Sequence, residues 1–144
     1  MAITPENTFK NILDKLESVI ETEFKGALPT CVGYDKMHGS QYLRILPEGS
    51  ELLSFMTDSE EREYRIKLIY YFDEKMINTK TVDHILRYTS RIEALIHDNI
   101  IMTLSDNTQA LNCRIESTEL NTDEGDGVYT VDMEWRCSHV GNIG

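Results

Sequence analysis

The residues of this chain whose types could do chemistry are densest in YTVDMEWRC, residues 129–137, where Thr130, Asp132, Glu134 and Arg136 alternate with Val131, Met133, Trp135 and Cys137. A strand sends those two rows to opposite faces. Paired carboxylates on the polar row, Asp132 with Glu134, or Glu134 with Glu116 of a neighbouring strand, are the groups that hydrolytic acid/base work uses. Such a pair needs burial or a cleft to drive its two pKa values apart. The pattern instead predicts a flat face on which Arg65, Lys67, Arg114 and Arg136 keep them charged company.

The other reactive types are scattered. Of His38, His84, His97 and His139, two share a helix, but His84 and His97 are 13 positions apart and fall on different faces of it. They read as solvated or helix-end histidines, His97 having a dipole reason to stand at a C-terminus. Cys31, Cys113 and Cys137 are an odd count without CxxC spacing, which argues against a disulfide framework or a zinc site and for buried reduced thiols in a reducing cytoplasm. NTDEGDG, residues 121–127, places a glycine fifth where an EF-hand requires its glycine sixth, so it reads as a hairpin tip. Phosphate-cradling glycine motifs and a nucleophile elbow are absent from the sequence. The expectation is therefore no catalytic residue, no metal and no cofactor. EYRIKLIYYF, residues 63–72, interleaves bases with aromatics as a single-strand nucleic-acid platform does, but Tyr64, Tyr70 and Phe72 fall on its core row. A net charge of −11 also opposes adhesion to phosphates.

The elements that must position these residues follow from periodicity. At 144 residues, 40% hydrophobic and 27% charged, the chain fits one domain, 1–144, with a core of its own. No apolar run has the length of a membrane span, and MAITPENTFK lacks a basic segment followed by an apolar one, so neither a membrane nor a secretion signal is expected. Thr4 and Pro5 open a helix whose Phe9, Ile12, Leu13, Leu16, Val19, Ile20 and Phe24 form one stripe, and Gly26 is its expected stop. Residues 27–40 read as loop with a short strand at Cys31–Tyr34. YLRIL, 42–46, is a strand that Pro47 and Gly49 end, and Glu51–Glu63 is mostly a linking loop.

In the strand 63–72, Tyr64, Ile66, Leu68, Tyr70 and Phe72 share one face, and Arg65 and Lys67 the other. A helix from about Thr79 or Thr81 to His97 buries Val82, Ile85, Leu86, Thr89, Ile92, Leu95 and Ile96, with Asn99 as its stop. IIMTL, 100–104, is too short to classify. Strands 109–118, with Leu111, Cys113 and Ile115 inward, and 128–138 pair as a hairpin. The order predicts an α+β two-layer sandwich, a mainly antiparallel sheet of about four strands with two helices packed on one face. Arg65, Lys67, Arg114, Glu116, Asp132, Glu134 and Arg136 line the other face, open to water, a subunit or a lumen.

In its succession of elements the chain resembles the tail-terminator (tail-completion) proteins of long-tailed bacteriophages. The resemblance runs through the opening helix TPENTFKNILDKLESVIETEF, the loop ALPTCVGY, the strands YLRILPEGSELLSF and EREYRIKLIYYF, the helix VDHILRYTSRIEALI, and the hairpin ALNCRIEST with YTVDMEWRC. It implies a non-enzymatic virion protein of the tail or neck, made in the cytoplasm of a bacterial host. Its copies would form a hexameric ring on the tail tube, end its growth and dock to the head-tail connector, and genomic DNA would pass through without specific binding. An acidic chain suits that passage. The resemblance supplies no catalytic residue. It leaves the seven charged residues above, with loops 47–62 and 119–127, as candidates for subunit interface or lumen. A connector adaptor, a tube subunit or a small carboxylate-dependent enzyme are the alternative readings.

Overall fold

The computed structural model describes residues 8–25, 27–33, 41–73, 79–123 and 128–142. In chain order these form α1 (Thr8–Phe24), β1 (Thr30–Val32), β2 (Gln41–Phe55), β3 (Ser59–Asp73), α2 (Thr79–Asp98), β4 (Met102–Thr103), β5 (Gln109–Asp123) and β6 (Val128–Asn142). The six strands make one sheet in the order β1-β2-β3-β6-β5-β4, with β1 and β2 parallel and every other pair antiparallel. The sandwich of about four strands is thereby corrected. The described residues are 55% sheet, a curled half-barrel of six strands with two helices.

The added strands are the short β1 and β4, and the sheet's extent comes from two hairpins far longer than their hydrophobic patterns. The stretch expected as a linking loop is the outer half of β2, a turn at 56–58, and the start of β3. Nearly every residue from Pro47 to Phe55 is exposed, and a strand that buries neither face shows no alternation to read. Pro47 does not end β2. It lies two residues past the last pairing with β1, where β2 has become an edge strand, and beside a bulge at Glu48, both positions that tolerate a missing N–H. A second bulge in β2 falls at Leu53, and β5 carries two, around Asn112–Cys113 and at Glu116. Each extra residue bends its strand and strengthens its twist, which accounts for a curled sheet in place of a flat one.

The core lies against the sheet's apolar face. Ile12, Leu16 and Ile20 of α1 and Ile85, Ile92 and Ile96 of α2 join Leu43, Ile45, Ile66, Leu68, Tyr70, Val131, Met133 and Trp135 in one buried cluster. Two expected core positions are corrected: Leu86 is 49% exposed on the solvent side of α2, and the bulge after Leu111 turns that residue onto the polar row, opposite Ser138. Lys25, at φ 51°, takes the left-handed position after α1, and its N–H bonds Glu21 O at 2.8 Å; the expected stop, Gly26, lies outside the described residues. Asn99 closes α2 as expected, its N–H bonding Ile96 O and its side-chain amide donating to Leu95 O at 2.8 Å. No described helix is long and apolar enough to cross a membrane.

Candidate functional site

The seven charged residues singled out from the sequence come together on the face of the sheet away from the main core. Register sets them in rows across three strands. Arg65 of β3, Arg136 of β6 and Arg114 of β5 lie directly opposite one another, and Lys67 faces Glu134 in a second row. Three guanidinium groups side by side would repel, so the row stands only with counter-charges between them.

Glu63 supplies the first. One carboxylate oxygen accepts from Arg114 Nη2 at 3.2 Å and the other from Arg136 Nη1 at 3.1 Å. Glu134 accepts from Arg136 at 3.1 Å, Glu116 accepts from Arg114 Nε, and Lys67 reaches Asp132 at 3.6 Å. Burial pulls the Arg114 guanidinium down, but its bonds to Glu116 and Glu63 outweigh this and hold it above its ordinary value. The bond to Glu134 does the same for Arg136. Asp132, Glu134 and Glu116 are thus each paired with a cation of the same face. Glu63 went unnoticed in the sequence, because only the three-strand register shows that it stands between two arginines.

The curl makes this face concave. A hollow of about 250 Å³ is lined from all four long strands, by Glu48 of β2, Lys67 of β3, Asp132 and Glu134 of β6, and Ser117 and Glu119 of β5. A larger one, about 760 Å³, lies where the β2–β3 arm approaches β5 and the C-terminal turns of α2. The stretch expected as loop 47–62 therefore reaches this face as a strand pair. Of the expected loop 119–127, residues 119–123 belong to β5, while 124–127, with most of the acidic tip considered for calcium, lie outside the described residues. Among the described residues no group of three or more His, Cys, Asp or Glu side chains is placed to hold a metal ion.

Two polar clusters on the core side differ from expectation. His139 is buried, not solvated, and its Nε2 lies 2.8 Å from Thr108 Oγ1, which is itself 2.5 Å from Asp106. The hydroxyl has one proton; donated to the Asp106 carboxylate, it leaves Nε2–H to donate to Thr108. The set ties the turn before β5 to the end of β6. His84 meets Gln41 Oε1 at 3.0 Å, and the same oxygen accepts from the Tyr70 hydroxyl at 2.7 Å, joining β2, β3 and α2. His97 lines the larger hollow, and His38 lies outside the described residues. Cys31, Cys113 and Cys137 are buried, and none of the three is in a disulfide. Tyr64 and Tyr70 are in the core, so no aromatic row of β3 faces outward as a stacking platform; Tyr71 does face outward, stacked on Tyr42 at 4.6 Å.

No protein-family model and no curated protein sequence matches the chain. The fold does match solved structures. A chain of the virion of a native gene transfer agent particle superposes with a TM-score of 0.67 at 10% identity, over 95% of this chain and 100% of that one. A second structure, whose designation states no function, matches with a TM-score of 0.61 at 15% identity, over 96% and 99%.

Proposed function

We propose that this chain is a structural, non-enzymatic protein of a phage-like virion, and within the virion the tail terminator, the ring that ends the tail tube and offers a surface to the head connector. The observation that carries the reading is the end-to-end fold match to a chain of a gene transfer agent virion, which leaves neither chain a sizeable unmatched part. The succession of elements adds to it, because it resembles that of the tail-terminator family. Other neck and tail proteins share the general reading but not the behaviour. A terminator adds once, whereas a tube subunit repeats.

The concave charged face fits a ring around DNA. It presents Glu48, Glu119, Asp132 and Glu134 against one lysine in its smaller hollow, and the whole chain carries −11. A surface of fixed carboxylates repels phosphates, so a genome passes it without sticking. The ion pairs do a second task there: they hold the side chains in place against a moving polyelectrolyte. Head-to-tail contact between copies, using two different edges, closes into a ring when the rotation per copy divides a full turn.

Inactivating the gene in the phage or prophage that carries it tests the reading. The expected lysate contains tails of irregular, excess length and heads without tails. Particles with normal tails would refute the proposal, and complete loss of tubes would assign the chain to the tube itself.

A further inference from the structure

We infer that the larger hollow is a docking groove for an extended segment of another protein, one in which an apolar side chain is flanked by lysines or arginines. The groove stands independently of the virion reading. Its walls come from three elements that meet only in the folded chain: the β2–β3 arm, the bulged part of β5, and the end of α2. Its apolar floor is Ile96, Ile100 and Ile115, with Leu53 above it.

Two of those side chains are placed at a cost that the monomer does not explain. Ile100 is 45% and Leu53 50% exposed, and Leu53 is the extra residue of a bulge, turned out of the ladder and toward the groove. Apolar residues gathered at a concave site mark a binding surface more than scattered ones do. At about 760 Å³ the hollow is within the range of built ligand sites and takes two or three side chains.

Charge decides the occupant. Glu61, Glu63, Glu93 and Glu116 line the groove against a single guanidinium, that of Arg114, which Glu63 and Glu116 already engage. The remaining field is negative, inside a chain of net charge −11, so a basic segment is attracted. Backbone supplies the rest. β4 covers β5 only at Gln109 and Ala110, and Cys113 N–H bonds Ile100 O; past that point no described strand pairs with β5 on the side away from β6. An extended segment can add to that edge, with alternate side chains set on the floor and along the acidic wall.

The test uses the full chain and a synthetic seven-residue peptide of alternating lysine and leucine, followed by fluorescence anisotropy. A peptide with glutamate for lysine is the comparison. The lysine peptide binds the native chain and the glutamate peptide does not; Ile100→Asn weakens binding about tenfold, the loss of one buried apolar contact. Glu61→Gln with Glu93→Gln weakens it severalfold, while Asp14→Asn on α1 leaves it unchanged. Circular dichroism confirms that each variant is folded. Absence of binding at millimolar peptide, equal binding of both peptides, or equal loss in Asp14→Asn would overturn the inference. So would self-association of the native chain that Ile100→Asn abolishes, since the groove would then hold a second copy.

Discussion

Trp135 is completely buried in the middle of β6, yet its Nε1–H has no hydrogen-bond partner among the described residues. Trp135→Phe therefore changes two quantities of opposite sign. Exchanging indole for phenyl withdraws apolar contact and leaves part of the site unfilled, a loss of about 1 to 2 kcal/mol. It also removes an unsatisfied buried donor, whose presence costs about 1 to 3 kcal/mol. The two nearly cancel, and Trp135→Phe should stand within about 1 kcal/mol of the native chain. Met133→Ala, in the same buried row, deletes apolar volume with no such compensation and should cost about 2 to 5 kcal/mol. Urea unfolding followed by far-ultraviolet circular dichroism measures both, a signal chosen because Trp135 is the sole tryptophan and its fluorescence disappears with it. A loss above about 3 kcal/mol in Trp135→Phe at unchanged m value would contradict this, because it would mean that the indole N–H is bonded in the folded protein.

Gly33 has φ +86° with open space where a Cβ would be, so Gly33→Ala meets backbone strain alone and should cost about 1 to 2 kcal/mol in the same assay. Gly49 is the converse: its Cβ would come 3.2 Å from Arg65 Nη2, the end of a flexible side chain, and Gly49→Ala should cost less than about 1 kcal/mol. Burial holds the His139 imidazole below its ordinary 6.5, with Asp106 opposing in part. The unfolded chain then takes up the proton first, so stability falls as pH drops from 6.5 toward the lowered folded value. Urea midpoints at about pH 7.5 and 5.5 should show this fall, and His139→Gln should flatten it. Asp106, held low chiefly by the Thr108 hydroxyl, adds stability above its ordinary 3.8 that is lost only as pH falls further, through its own lowered value.

How far residues announce their place depends on what they bury. The stripe Ile12, Leu13, Leu16, Ile20 and Phe24 and the row Val131, Met133, Trp135 and Cys137 are all buried, and both were legible because one-sided burial imposes a period. The arm from Pro47 to Phe55 has no such side, and Pro47 and Gly49 read as stops when they mark an edge and a bulge. Bulges were invisible for a related reason: one extra residue at Asn112–Cys113 leaves local composition unchanged but moves Leu111 to the other face. The charged face was found as seven residues of three separate segments. Its ordering by Glu63 depends on cross-strand register, and its concavity on curl, neither of which a single strand encodes.

The proposed function requires that this chain form a single ring at one end of a tail tube. Purified particles from the phage or prophage that encodes it, analysed by quantitative mass spectrometry and cryo-electron microscopy, test that most directly. The prediction is on the order of six copies of the 16.6 kDa chain per particle, in one ring between tube and head. Absence from the particle, or density repeated along the whole tube, would contradict it.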